Sequence, residues 1–338
     1  MASLENILAL NNLLPYMNDE QRNSMLCALG MTSEEFEHRI GGITKENEFL
    51  LILLFFNVCK NIAGFDEGIS KLGEKTYTSD LVLELKNGMK FMLEIKHTDK
   101  DEFSISGGNL NKRIEYAASL NLDLYFAVSI HGFWMLFRSD YLKKNNGKIS
   151  VNDYPNSILD DVLDTYAYIF PPGIKIRTVY SKSPNKGMQM NFEPYGELVS
   201  FELFYKSRKI LRIKGIKSRY YIFTLMLTAL QDRLSSIKQV INDCGNVTVI
   251  YDMDDGEHIN YISEYLFMLS PIMHTKETTD EKRNATTVLN ELKDNKSVFR
   301  FPKENYRGMI QELVKLGIPI MYVRKGKIYD IKIPHSNN

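Results

Sequence analysis

TYTSDLVLELKNGMKFMLEIK, Thr76 to Lys96, carries two apolar runs either side of Lys86-Asn87-Gly88, and how they pair decides both fold and site. A two-residue Asn87-Gly88 loop would set Asp80 opposite Ile95 and mix polar with apolar side chains on both faces. A three-residue loop, closed by Gly88 in the left-handed region, shifts every pair by one. Leu85 then meets Met89, Leu83 meets Phe91 and Leu81 meets Leu93 on one apolar face. On the other, Glu84 meets Lys90, Val82 meets Met92 and Asp80 meets Glu94. Because a one-residue slip flips every side chain, the register with the clean apolar face is the predicted one. It places Asp80, Glu94 and Lys96 on one face.

Two carboxylates facing each other destabilise a sheet unless a cation or a proton lies between them. Such a pair can hold a divalent metal, and a lysine two residues beyond the second can steady a water or a phosphate oxygen. The bland alternative is a solvated strand face, with Asp80 in the turn before it.

The chain has 338 residues, enough for two or three domains, and its 42 Lys and Arg balance 42 Asp and Glu. Net charge therefore gives no general attraction to nucleic acid, and any such binding must come from local patches. Cys27, Cys59 and Cys244 lie far apart, which disfavours a zinc site or a disulfide framework and suits a reducing, cytoplasmic interior. MASLENILALNNLLPYM lacks the basic region and cleavage site of a secretory signal and reads as an amphipathic helix. The apolar run from Phe49 to Phe56 falls well short of the roughly 20 residues that cross a bilayer, so no membrane partner is expected.

Ser33-Glu34-Glu35 offers a helix start, and Gly41-Gly42 is read as a break. Thr44 then caps a helix to about Ile62, apolar nearly all round and hence buried against a sheet. After the hairpin come a helix from about Asn109 to Leu120, a strand over Leu124–Ile130, a turn at His131-Gly132 and a strand over Phe133–Phe137. The order is helix, hairpin, helix, strand, strand.

That order, with Ser79-Asp80 and Glu94-Ile95-Lys96, resembles the PD-(D/E)xK nuclease superfamily, most closely archaeal-type Holliday junction resolvases and restriction-endonuclease-like proteins. The resemblance covers roughly residues 44 to 138, with Ser79 where the name-giving proline would stand. It implies Mg2+, with Mn2+ as a substitute, held by Asp80 and Glu94, and Lys96 assisting the attacking water. A helix glutamate often completes such a site, and Glu46 or Glu48 matches it. Glu46 equally suits the first turn of a helix, where negative charge is favoured. His97 reads as a solvated strand-end residue or a DNA contact. Ser104 and Ser106 are candidates for holding a phosphate, and Lys112 and Arg113 for the DNA backbone.

From Pro171 to Arg219 eleven basic residues face three acidic ones, leaving a net −8 on the rest of a neutral chain. Lys206, Arg208, Lys209, Arg212, Lys214, Lys217 and Arg219 fall within fourteen residues flanked by Tyr205, Tyr220 and Tyr221, a composition suited to phosphate contact and base stacking or to a strand pair with a solvated basic face. Tyr220 to Asn242 reads as helical. The acidic run from Asp252 to Glu257 misses the calcium-loop pattern and reads as a surface turn. Lys276 to Lys296 is polar and charge-rich and reads as a mobile segment or an exposed helix. Asn305–Leu316 reads as a helix ended by Gly317, followed by a hairpin of Ile318–Arg324 with Ile328–Ile333 that resembles the end of a winged-helix domain.

The expected fold is α/β, a restriction-endonuclease-like mixed sheet flanked by helices, with an additional α+β C-terminal region. The expected divisions are an N-terminal helical segment at 1–43, a nuclease domain at 44–170 and a nucleic-acid-binding or oligomerising domain at 171–338. The expected activity is metal-dependent DNA hydrolysis, restriction-like or defence-related. A resolvase or repair nuclease, and a non-catalytic nucleic-acid-binding module, are the alternatives. DNA, a second copy of the chain and a regulatory or defence-system protein are the expected partners.

Overall fold

The computed structural model describes residues 17–64, 78–183, 191–192, 195–215, 237–243, 246–252, 258–260, 289, 300, 303–324 and 327–331. They fall into two compact units, one within Met1–Asp164 and Tyr265–Phe301, the other within Thr165–Glu264 and Pro302–Asn338. The division falls at Asp164 rather than at residue 170, because the strand that begins at Ala167 pairs within the second unit.

The first unit opens with α1 (Asp19–Ala28) and α2 (Ser33–Phe56), each begun by a capping box, at Asn18 with Gln21 and at Thr32 with Glu35. Contrary to the expected break, α2 runs straight through Gly41-Gly42. Two glycines cost a helix about 1 kcal/mol each, and burial of Phe49, Leu51, Ile52, Leu53, Phe55 and Phe56 outweighs that. The helix also stops earlier than Ile62: Asn57 takes a left-handed conformation (φ 53°) and Cys59–Gly64 forms β1.

The hairpin is β2 (Leu81–Leu85) and β3 (Lys90–Thr98) in the expected register, with Leu81 opposite Leu93, Leu83 opposite Phe91 and Glu84 opposite Lys90. Leu85 N–H donates to Met89 O at 2.8 Å, and Gly88 has φ +88°. Next come β4 (Glu102–Ser104), α3 (Gly107–Ser119), β5 (Asp123–Ile130) and β6 (Phe133–Arg138). Helix α4 (Ser139–Lys144), β7 (Lys148–Ser150), a 3-10 turn (Val151–Asn156) and α5 (Leu159–Leu163) complete the unit. The sheet order is β1-β2-β3-β5-β6, with β3 and β5 parallel and the other neighbours antiparallel. It is a mixed sheet flanked by helices. Strand β3 is central, so both its faces are buried, Met92 and Glu94 included.

The second unit is largely β. Strands β8 (Ala167–Phe170), β9 (Ile174–Ser181), β10 (Asn191–Phe192), β11 (Gly196–Tyr205), β12 (Arg208–Ile213), β13 (Ile237–Asp243), β14 (Asn246–Asp252) and β15 (His258–Asn260) precede α6 (Lys303–Lys315), β16 (Met321–Arg324) and β17 (Lys327–Asp330). One antiparallel sheet runs β10-β11-β9-β14-β13, with β12 also on β11; a second runs β15-β8-β16-β17. Residues 237–242, expected as the end of a helix, are strand, because Val240 and Ile241 pair with Val249 and Thr248. The rest of that expected helix and the 253–257 acidic turn lie outside the described residues, as does the charge-rich 276–296 segment apart from a buried Leu289. The C-terminal hairpin forms as expected, with Gly317 at φ +96°, but as two strands of a four-stranded sheet rather than an isolated wing.

Candidate active site

Glu94 and Lys96 alternate onto one face of β3, and Asp80 stands one residue before β2, at the position that continues the register opposite Glu94. Asp80 Oδ2 accepts from the Ile95 N–H at 2.6 Å, which fixes its side chain against β3. The Lys96 ammonium lies 2.6 Å from Glu94 Oε1 and 3.9 Å from Asp80 Oδ2. The expected trio is therefore assembled by one hairpin.

Glu94 has no exposed surface, whereas Lys96 keeps 34% of its side chain exposed and Asp80 23%. Burial, with the negative charge of Asp80, raises the Glu94 pKa above the ordinary carboxylate range against the pull of Lys96 and Arg113. Burial works against the charge on Lys96, but Asp80 and Glu94 outweigh it and its pKa is raised. Lys96 is held as a cation.

Arg113 turns inward instead of toward a DNA backbone. It donates to Glu94 Oε2 and, at 3.0 Å, to the Thr78 carbonyl, while its Nε donates to Asn109 Oδ1 at 3.2 Å. The reason is electrostatic: a buried carboxylate needs compensation, and α3 passes on the Glu94 face of the sheet. Sequence reasoning placed Arg113 on the right helix but not in the site. The signal lies in the sheet order rather than in the hairpin itself: once β3 is central, Glu94 is buried and needs a second cation. Lys112, one residue away, is exposed. Ser106 caps α3 by accepting from the Asn109 N–H at 3.4 Å, and Ser104 is exposed on β4.

Neither helix glutamate joins the trio. Glu48 accepts from Trp134 Nε1 at 3.0 Å and from Lys45 at 2.7 Å. Trp134 stands in one row with Ser129 and His97, on the sheet face opposite Glu94 and Lys96. Glu46, on the same helix, is half-buried and has a partner of its own. His97 lies 3.5 Å from Ser129 Oγ and 3.2 Å from Asp99, the residue types of a hydrolytic triad, but Ser129 is fully buried and no substrate can reach it.

In the basic run, Lys206 and Ser207 form the turn of the β11-β12 hairpin, both at positive φ. Lys209, Arg212 and Arg177 converge on the nearly buried Glu202, at 2.9, 3.1 and 3.6 Å. Lys206, Arg208 and Lys214 are exposed on the same hairpin. Lys217 and Arg219 lie outside the described residues.

No family model matches the chain, and no curated protein matches it. Among solved structures, it is similar to Archaeoglobus fulgidus Hjc, described as a Holliday junction resolvase from an archaeal hyperthermophile. The identity is 19% and the TM-score 0.30, over 36% of this chain and 99% of that one. A score so low adds nothing to what the geometry carries.

The donors suit a hard divalent cation. Asp80 and Glu94 offer carboxylate oxygens, and Glu94 Oε1 is buried with the Lys96 ammonium near it but no hydrogen bond of good geometry. Among the described residues no third carboxylate, histidine or cysteine joins them. Mg2+ does not require one, since it keeps several waters and is commonly held by one or two carboxylates with substrate phosphates. Among the described residues no helix is long and apolar enough to cross a membrane.

Proposed function

We propose that the protein is a metal-dependent endonuclease of the PD-(D/E)xK kind, with Asp80 and Glu94 holding Mg2+ and Lys96 acting beside them on DNA. The supporting observation is Glu94, a fully buried carboxylate one register step from a second carboxylate, with a lysine ammonium 2.6 Å away. A fold gains little from such a pair, and a hydrolytic site needs it.

When bound, the metal would supply Lewis acidity to the scissile phosphate and acidity to a water. Asp80, anchored through Oδ2 by the Ile95 N–H, keeps 23% of its side chain exposed and has its second oxygen to offer the metal. Lys96, kept protonated by both carboxylates, orients the water or balances charge on the phosphate oxygens rather than acting as base. Arg113 holds Glu94 in place from α3. The exposed cations of the β11-β12 hairpin suit DNA-backbone contact and define no sequence preference.

The test is cleavage of supercoiled plasmid, linear duplex, single-stranded DNA, RNA and a four-way junction with Mg2+ or EDTA, using wild type beside Asp80→Ala and Lys96→Ala. Mg2+-dependent cutting lost in both variants supports the proposal, and the preferred substrate separates restriction-like from resolvase-like action. Binding without cutting on every substrate would favour the non-catalytic module.

A further inference from the structure

Between α6 and the four-stranded sheet lies a cleft of about 670 Å³, within the range of small-ligand sites. Its wall is set by strand register: Tyr322 stands opposite Tyr329 on one side and Tyr168 on the other. The Tyr322 and Tyr329 rings stack at 5.3 Å with 21° between their planes, and Tyr166 lies 4.9 Å from Tyr322. Two guanidiniums approach the Tyr166 ring, Arg307 from α6, which lines the cleft, and Arg324 from β16 beside it, each 5.9 Å from the ring centre.

Tyrosine rows inside a fold are ordinary core, but this one reaches the surface. Tyr329 is 41% exposed and its neighbour Ile328 60%, both on the edge strand β17. Exposed rings beside two cations suit a ligand with a flat π-system and an adjoining anion. We propose that the cleft binds an unstacked nucleotide of a single-stranded nucleic acid, its base against the Tyr322–Tyr329 stack and its phosphate on Arg307 and Arg324. A duplex keeps its bases inside the stack and cannot offer one to a ring. An acyl chain would gain nothing from the guanidiniums. Arg307 also pairs with Glu304 at 3.2 Å, but that carboxylate is 85% exposed, and a phosphate replaces such a surface partner at little cost.

The inference does not rest on cleavage, and its test is binding in EDTA. Fluorescence anisotropy of a labelled oligothymidylate is measured on the full chain, with Tyr329→Ala, Tyr329→Phe and Arg324→Gln, thermal melting confirming that each variant is folded. Wild type and Tyr329→Phe are expected to bind alike, Tyr329→Ala to bind roughly tenfold more weakly, and Arg324→Gln to bind more weakly with a flatter salt dependence. Unlabelled duplex of the same length should compete less well than single strand. The inference is overturned if the single strand does not bind, if folded Tyr329→Ala and Arg324→Gln both bind as wild type, or if free thymidine monophosphate binds while the oligonucleotide does not. None of these outcomes bears on hydrolysis at Asp80, Glu94 and Lys96, since no metal is present and none of the three is altered.

Discussion

Arg113 donates to Glu94 Oε2 and holds the Thr78 carbonyl at 3.0 Å with the same nitrogen, so one guanidinium ties α3 to the central strand and to the chain entering the hairpin. Removing one partner of a buried pair leaves an uncompensated charge, and Arg113→Ala is expected to destabilise the first unit by about 3 kcal/mol. Arg113→Lys should recover part of this, because a lysine supplies the charge without the planar fork. Urea denaturation measures both. Millimolar Mg2+ should raise the melting temperature of Arg113→Ala more than that of wild type, since it returns positive charge to Glu94. Equal shifts would separate Arg113 from the proposed metal position.

The hairpin that carries the site was legible because three constraints agreed: apolar alternation, the Lys86-Asn87-Gly88 loop and the opposed carboxylates. Gly41-Gly42 misled, because a local breaker says nothing of the burial that α2 gains at Phe49 and Phe55. Strand β1 was missed for the converse reason. CKNIAG is an edge strand with polar, exposed positions, and its pairing with β2 supplies order that its own composition does not. Glu48 lay in the right helix, but which way it points depends on Trp134, a residue 86 positions away. The Arg113 contact and the tyrosine row likewise exist only through register between distant segments.

Asp160 should make stability depend on pH. Tyr154 O–H donates to its Oδ2, while Oδ1 is buried without a hydrogen bond, and burial pushes its pKa up to about 7. The folded pKa lies above the unfolded value, so the native state binds the extra proton between about pH 4 and 7. Stability from this group is therefore highest below pH 4 and is lost as pH rises through 7. The residue as a whole keeps a minor part of its surface exposed, which reduces the effect to about 2 kcal/mol. Asp160→Asn should melt higher than wild type at pH 8, with the difference vanishing toward pH 4. A difference independent of pH would refute the assignment.

Gly147 is the position least tolerant of a side chain near the start of α3. It has φ +76°, and a Cβ there would lie 2.1 Å from the Ile105 carbonyl oxygen, whose N–H is bonded to Gly147 O at 2.9 Å. Gly147→Ala is expected to cost at least about 2 kcal/mol, more than Gly88→Ala, where positive φ is the only penalty and about 1 kcal/mol is expected. Equilibrium unfolding of the two variants compares them directly.

The sharpest test of the carboxylate pair sets stability against activity. Asp80 raises the Glu94 pKa by its charge, and in exchange contributes an acceptor to the Ile95 N–H and a 3.9 Å contact to Lys96. An asparagine keeps the acceptor and removes the repulsion. Asp80→Asn should therefore melt at or above the wild-type temperature while Mg2+-dependent cleavage falls by at least roughly a hundredfold, as expected when a metal ligand is neutralised. Lys96→Met should lose cleavage and stability together, because it strips a cation from buried Glu94. A less stable Asp80→Asn with unchanged cleavage would mean that the second carboxylate serves the hairpin and not the chemistry. Measuring both properties on the same preparations separates a residue kept for folding from one kept against it.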